Sequence, residues 1–146
     1  MNSWKLAVSC SLFLAASNPV WANSETDLFA KTCATCHGEK GVGTQGLAPP
    51  LQNAELWSRL GDKAPHYIAG VMVGGMSGKI TANGEDYIGL VMPPMSSVPS
   101  EDLALIAGYV LQTLNGVMSA PDKALVDGMK TKPLSHKELR NMRKGQ

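Results

Sequence analysis

Cys33-Ala34-Thr35-Cys36-His37 restricts what this chain can become more than any other stretch. Two cysteines separated by two residues and followed at once by histidine form the attachment signature of c-type haem. Each thiol adds across one vinyl group of the porphyrin, so both must project the same way. On a helical turn, positions i and i+3 share a face, which gives Cys33 and Cys36 that common direction. His37 is then carried beneath the iron with a neutral imidazole nitrogen as proximal ligand. Paired cysteines also serve other chemistries. A dithiol redox pair wants a strand–helix setting that the surrounding sequence lacks. A structural zinc needs four ligands, and there is no second cysteine pair. A plain disulfide remains compatible with the motif by itself.

The 146 residues suffice for one domain, and their start reads as an address. Lys5 supplies a short positive segment, Leu6 to Ala16 an apolar run, and Val20-Trp21-Ala22 a small-residue cleavage site. The expected organisation is a secretory leader over 1–22 cleaved after Ala22, a cofactor-binding domain over 23–116, and a basic extension over 117–146. The apolar run is too short for a permanent span, so no transmembrane segment is expected in the mature chain. Bacterial haem attachment takes place outside the cytoplasmic membrane, which makes the periplasm the expected location. Residues 24–116 hold nine acids and five bases, whereas 117–146 hold three acids and seven bases. An acidic body with a basic tail argues against nucleic acid as a partner. Only 5% of residues are aromatic, which suits a core filled by a flat cofactor.

Ser24 to Thr35 reads as a helix, with Ser24 and Asp27 in capping positions and Phe29 in the core. Residues 38–50 form a glycine-rich loop ending in Pro49-Pro50. The Pro49 carbonyl is a candidate acceptor for the His37 ring N–H, although on the residues alone two prolines that merely stiffen the loop are the preferred reading. Asn53 to Leu60 predicts a short helix, from which Trp57 and Arg59 are candidates to reach a haem propionate. A core indole and a solvated guanidinium are the plain alternatives. Asp62 to Val73 predicts a helix capped by Asp62, with His66 exposed in its first turn. Residues 79–99 show no periodicity and contain Met92-Pro93-Pro94-Met95. A polyproline-like segment has three residues per turn, so Met92 and Met95 project similarly and geometry does not choose between them. Ser100 to Leu114 is the clearest helix, capped by Ser100, with Gly108 placed for close helix packing. Capping patterns at Ser119–Asp122 and Ser135–Glu138 predict two short helices in the tail. A solvated or partly disordered tail is the commoner outcome for such a charge run, and His136 has no assigned role.

With Cys33-x-x-Cys36-His37, Pro49-x-Leu51, Met92-Pro93 and a capped final helix carrying Tyr109, residues 25–116 resemble class I c-type cytochromes. The resemblance implies an all-α fold of about 3–5 helices around one haem, with first and last helices crossing near Phe29 and Tyr109. It implies one covalent haem c on Cys33 and Cys36, with iron held by His37 and Met92 (alternatively Met95). The Pro49 carbonyl then holds the His37 ring. The implied function is a periplasmic electron carrier, not an enzyme. Its partners would be redox proteins: a dehydrogenase or upstream cytochrome as donor, an oxidase or reductase as acceptor. A peroxidase-like haem enzyme, or the bound cytochrome subunit of a dehydrogenase, is the alternative.

Overall fold

A computed structural model describes residues 24–146. The expected leader over 1–22, with its cleavage point after Ala22, lies outside the described residues. Helix α1 (Glu25–Thr32) starts where Ser24 accepts a hydrogen bond from the Asp27 N–H, and it ends at Cys33. One further turn, α2 (Ala34–His37), carries the rest of the cysteine motif. Asn53 caps α3 (Ala54–Leu60) through the Leu56 N–H. The next helix, α4 (Ala64–Gly74), begins later than its sequence implies. Asp62 lies in a tight turn over Gly61–Lys63, and Lys63 occupies the cap position. Pro65 lies in the first turn, where its missing N–H costs nothing.

Between α4 and the helix that starts at Ser100 the chain is not wholly irregular. Strands β1 (Met76–Ser77) and β4 (Val91–Met92) pair antiparallel, and between them β2 (Ile80–Ala82) pairs with β3 (Glu85–Tyr87). The second pair turns at Asn83-Gly84, both with positive φ. An Asn-Gly dipeptide is the usual two-residue hairpin connection, because the strand twist demands that conformation. The fold is therefore mostly helical with two small ladders, where an all-α chain was expected. Strands of two or three residues are too short to show alternation.

Helix α5 (Ser100–Gly108) runs on into a wide π turn over Tyr109–Thr113. Pro99, not Ser100, takes the cap position. A Cβ on Gly108 would meet only ordinary contacts, so helix packing does not require that glycine. Helix α1 packs against α5, and the Phe29 and Tyr109 rings lie 5.1 Å apart at 51°.

The tail is structured. Asp122 itself caps α6 (Lys123–Thr131) through the Leu125 N–H, so Ser119 is not its capping partner. Ser135 and Glu138 form the predicted capping box at the start of α7 (His136–Arg143). Val126, Met129 and Leu139 are buried, with α6 against α4 and α5, and α7 against α3, α4 and β1. The glycine that this packing crowds is Gly70. A Cβ there would lie 2.9 Å from Leu139 Cδ2 and 3.1 Å from Leu134 Cδ1. Apolar stripes on both tail helices explain why charge alone misjudged the segment.

Candidate haem site

The end of α1 and the single turn of α2 bring Cys33, Cys36 and His37 to the wall of one cavity of about 180 Å³. The two thiols are not joined to each other. Burial first, then neighbouring Cys36, pushes the Cys33 thiol up to about 11. Dithiol exchange runs on a stabilised thiolate, so this environment is wrong for a thioredoxin-type pair. Among the described residues no three His, Cys, Asp or Glu side chains gather to hold a metal ion, which disposes of the zinc reading there.

His37 is buried, and its Nδ1 lies 2.9 Å from the Pro49 carbonyl oxygen. A carbonyl can only accept, so Nδ1 carries the proton and donates it. That leaves the Nε2 lone pair as the ring's available donor atom. Burial pushes His37 below its ordinary 6.5, partly offset by the Pro49 hydrogen bond, so the ring is neutral at pH 7. A neutral imidazole oriented through its other nitrogen is the arrangement a haem iron uses. The 38–50 loop is folded tightly enough to hold that carbonyl. Gly43 (φ 85°) packs so closely that a Cβ would lie 2.6 Å from the Pro50 nitrogen.

The remaining wall is mainly apolar, with Leu51, Ile68, Ile106 and Val110 among its residues. Met92 and Met95 both line it and both are half-buried. Met72 and Met76 line it too, although the sequence offered no reason to single out Met76. Met76 pairs directly with Met92 across the β1–β4 ladder, which sets the two side chains beside each other on one face. Gly75 (φ 74°) lets this ladder close: a Cβ there would lie 2.5 Å from the Met92 carbonyl oxygen.

The two propionate candidates fare differently. Trp57 lines the cavity, but its indole N–H donates to the Leu51 carbonyl at 2.9 Å, and an indole has no second donor. Arg59 is not part of the cavity wall. It pairs with Glu55 at 2.8 Å and donates to the Arg143 carbonyl. Arg143, for which no local pattern provides a cue, does line the cavity.

Paired thiols on one turn, a neutral histidine with a free Nε2, methionine thioethers and apolar walls fit a covalently attached haem. Comparison with known proteins points the same way. Residues 22–110 match the family described as "Cytochrome C oxidase, cbb3-type, subunit III". The chain is 28% identical over 113 residues to cytochrome c-552 of Thermus thermophilus, covering 76% of this chain and 78% of that protein. It is also 44% identical over 43 residues to the cbb3-type cytochrome c oxidase subunit FixP of Azorhizobium caulinodans, covering 30% of this chain and 15% of that one. The chain belongs to the cbb3-type subunit III family of cytochromes and is a monohaem c-type cytochrome with one covalently bound haem c.

Proposed function

We propose that this protein is a one-electron carrier of the periplasm whose haem is anchored by Cys33 and Cys36 and ligated by His37 and Met92. When bound, the haem supplies a single electron by cycling between ferrous and ferric iron. The observation that carries the reading is the pairing of a neutral, carbonyl-oriented His37 with methionine thioethers in one apolar cavity. His37 and Met92 would then both hold the iron, which electron transfer tolerates and peroxide chemistry does not. Splitting an O–O bond wants an open iron position and a distal histidine working with an arginine. Among the described residues, His37 is the cavity's one histidine, and His66 lies outside it.

The protein's own groups divide the work. The thioether cysteines fix the cofactor against loss, and Pro49 sets the plane and basicity of His37. The apolar wall excludes water and so favours the less charged ferrous state. Leu47 and Val91 line the cavity and are exposed, so the cavity reaches the surface where a redox partner can approach. Among the described residues no helix is long and apolar enough to cross a membrane. Redox proteins are the partners: a dehydrogenase or upstream cytochrome as donor, a terminal oxidase or reductase as acceptor. The relatives' names make an oxidase the acceptor to test first. Residues 23–116 act as the cytochrome domain in this reading, after a leader removed near Ala22.

Stopped-flow mixing of the reduced protein with carbon monoxide and with peroxide tests the class. Slow carbon monoxide binding and no peroxide turnover are expected. Fast binding together with enzymatic turnover would overturn the carrier reading.

A further inference from the structure

Haem is amphipathic, with an apolar ring and two propionate carboxylates on one edge. Carboxylates taken into a protein need charged or hydrogen-bonding partners, because their desolvation is costly. Among the described residues, the cavity wall contains one Arg, Lys, Asp or Glu, and it is Arg143. This residue ends α7, well beyond residue 110 where the family match stops.

The Arg143 guanidinium is held in place by the protein. Nη1 donates to the Tyr67 hydroxyl at 3.0 Å and Nη2 to the Thr81 carbonyl at 2.8 Å. A guanidinium has about five N–H donors in a fixed fork, so donors remain for a further acceptor. Around it the charge is strongly one-sided. Arg59, Lys79, Arg140 and Lys144 join Arg143 in the wall of an adjoining pocket of about 280 Å³, which shares Ile80 with the main cavity. Arg59 is paired with Glu55 and Lys79 with Asp86. Arg140 and Arg143 are half-buried and donate to carbonyl and phenol oxygens, with no carboxylate partner among the described residues. Two half-buried guanidiniums without a carboxylate, in a pocket lined by three further cations, favour an anion there.

We propose that Arg143 is the counter-charge and hydrogen-bond donor for the haem propionates, which makes helix α7 part of the haem site. The inference rests on the haem reading above. It replaces both Trp57, whose single donor is committed to Leu51, and Arg59, which stands outside the cavity.

The test uses the full chain with its haem attached. Haem stain retained on a denaturing gel is checked first, so a protein without haem would defeat the reading of the site and not this assignment. Arg143→Gln and Arg143→Lys are then compared with the parent by resonance Raman and by potential as a function of pH. In Arg143→Gln the propionate bending mode shifts. The midpoint potential drops, because a cation beside the haem disfavours the ferric state. The propionate proton is also held to higher pH, so the pH above which the potential falls moves up. Arg143→Lys recovers most of the potential but not the mode. Around Arg143 stand Arg59, Lys79, Arg140 and Lys144, the carboxylates Glu55 and Asp86 that pair with Arg59 and Lys79, and the Tyr67 phenol. A step that belongs to the propionates moves together with their bending mode when Arg143 is replaced, so the two readouts are taken on the same samples. If Arg143→Gln does not fold, the propionate mode in Arg143→Lys decides by itself. An unshifted mode and unchanged potential would overturn the proposal. So would an effect seen only in phosphate buffer, which would mean that the cluster holds an anion from solution.

Discussion

Leu139→Ala should unfold the protein more readily by about 3 kcal/mol, because burying a leucine completely leaves a real void when it is truncated. Leu139 has no exposed surface and lies against the α4 helix at Gly70. Such truncations cost about 2–5 kcal/mol, and the middle of that range applies here because α7 can settle partway onto the smaller residue. The contact also predicts its own coupling. Gly70→Ala alone gains about 1 kcal/mol of helix propensity but drives a Cβ to 2.9 Å from Leu139 Cδ2, so it is neutral or destabilising. With Leu139 already cut to alanine the closer obstacle is gone and Leu134 Cδ1 at 3.1 Å has room to give, so Gly70→Ala should stabilise by at most roughly 0.5–1 kcal/mol. Urea unfolding of the four haem-bound proteins, followed by far-ultraviolet circular dichroism, gives all the terms. A Leu139→Ala loss below about 0.5 kcal/mol would put it among ordinary surface substitutions and show that α7 does not belong to the cooperative core.

Three further outcomes follow from the site. Met92→Ala should abolish the iron–sulfur charge-transfer band of the ferric protein while Met95→Ala keeps it, and the opposite result would exchange their roles. Gly75→Ala should cost about 2 kcal/mol or more and weaken the same band, because it strains a positive-φ position and pushes on the Met92 carbonyl. An unchanged band would detach the ladder from the ligand. The Ser135 hydroxyl and N–H hold the Glu138 carboxyl below its ordinary 4.5. The stability this adds to α7 is present above about that pH and fades as acid is added, so Glu138→Gln should flatten the acid limb of stability against pH.

The elements whose signal is local were legible in the sequence. The cysteine motif gives its geometry away by spacing, and Asn53, Ser135 and Glu138 cap helices as their positions imply. The His37–Pro49 hydrogen bond came through family likeness, since the partners lie twelve positions apart across the loop. The Asn83-Gly84 turn also carries a local signal in its dipeptide. Arg143 was not readable at all. Its contacts with Tyr67 and Thr81 span 76 and 62 positions, and nothing in Asn141-Met142-Arg143 says which wall the helix end will meet. A basic run looks alike whether it faces solvent or an anion, because the pattern records charge and not what lies across from it. The methionines have the same difficulty: four converge on the cavity, and spacing along the chain ranks none of them.

The Arg59–Arg143 and Tyr67–Arg143 contacts tie residues 84 and 76 positions apart, which sets a sequence of events in time. In the exported reading the chain reaches the outer side of the membrane with its N-terminal end leading, so Cys33 arrives before Arg143. Throughout that interval the cavity lacks the wall that α7 provides. The cysteine turn is thus offered to solvent first, and the last helix closes behind it. Haem can be delivered sideways into a half-built cleft and need not thread a finished one. Late pairing of such distant residues is also the slow step expected of the fold.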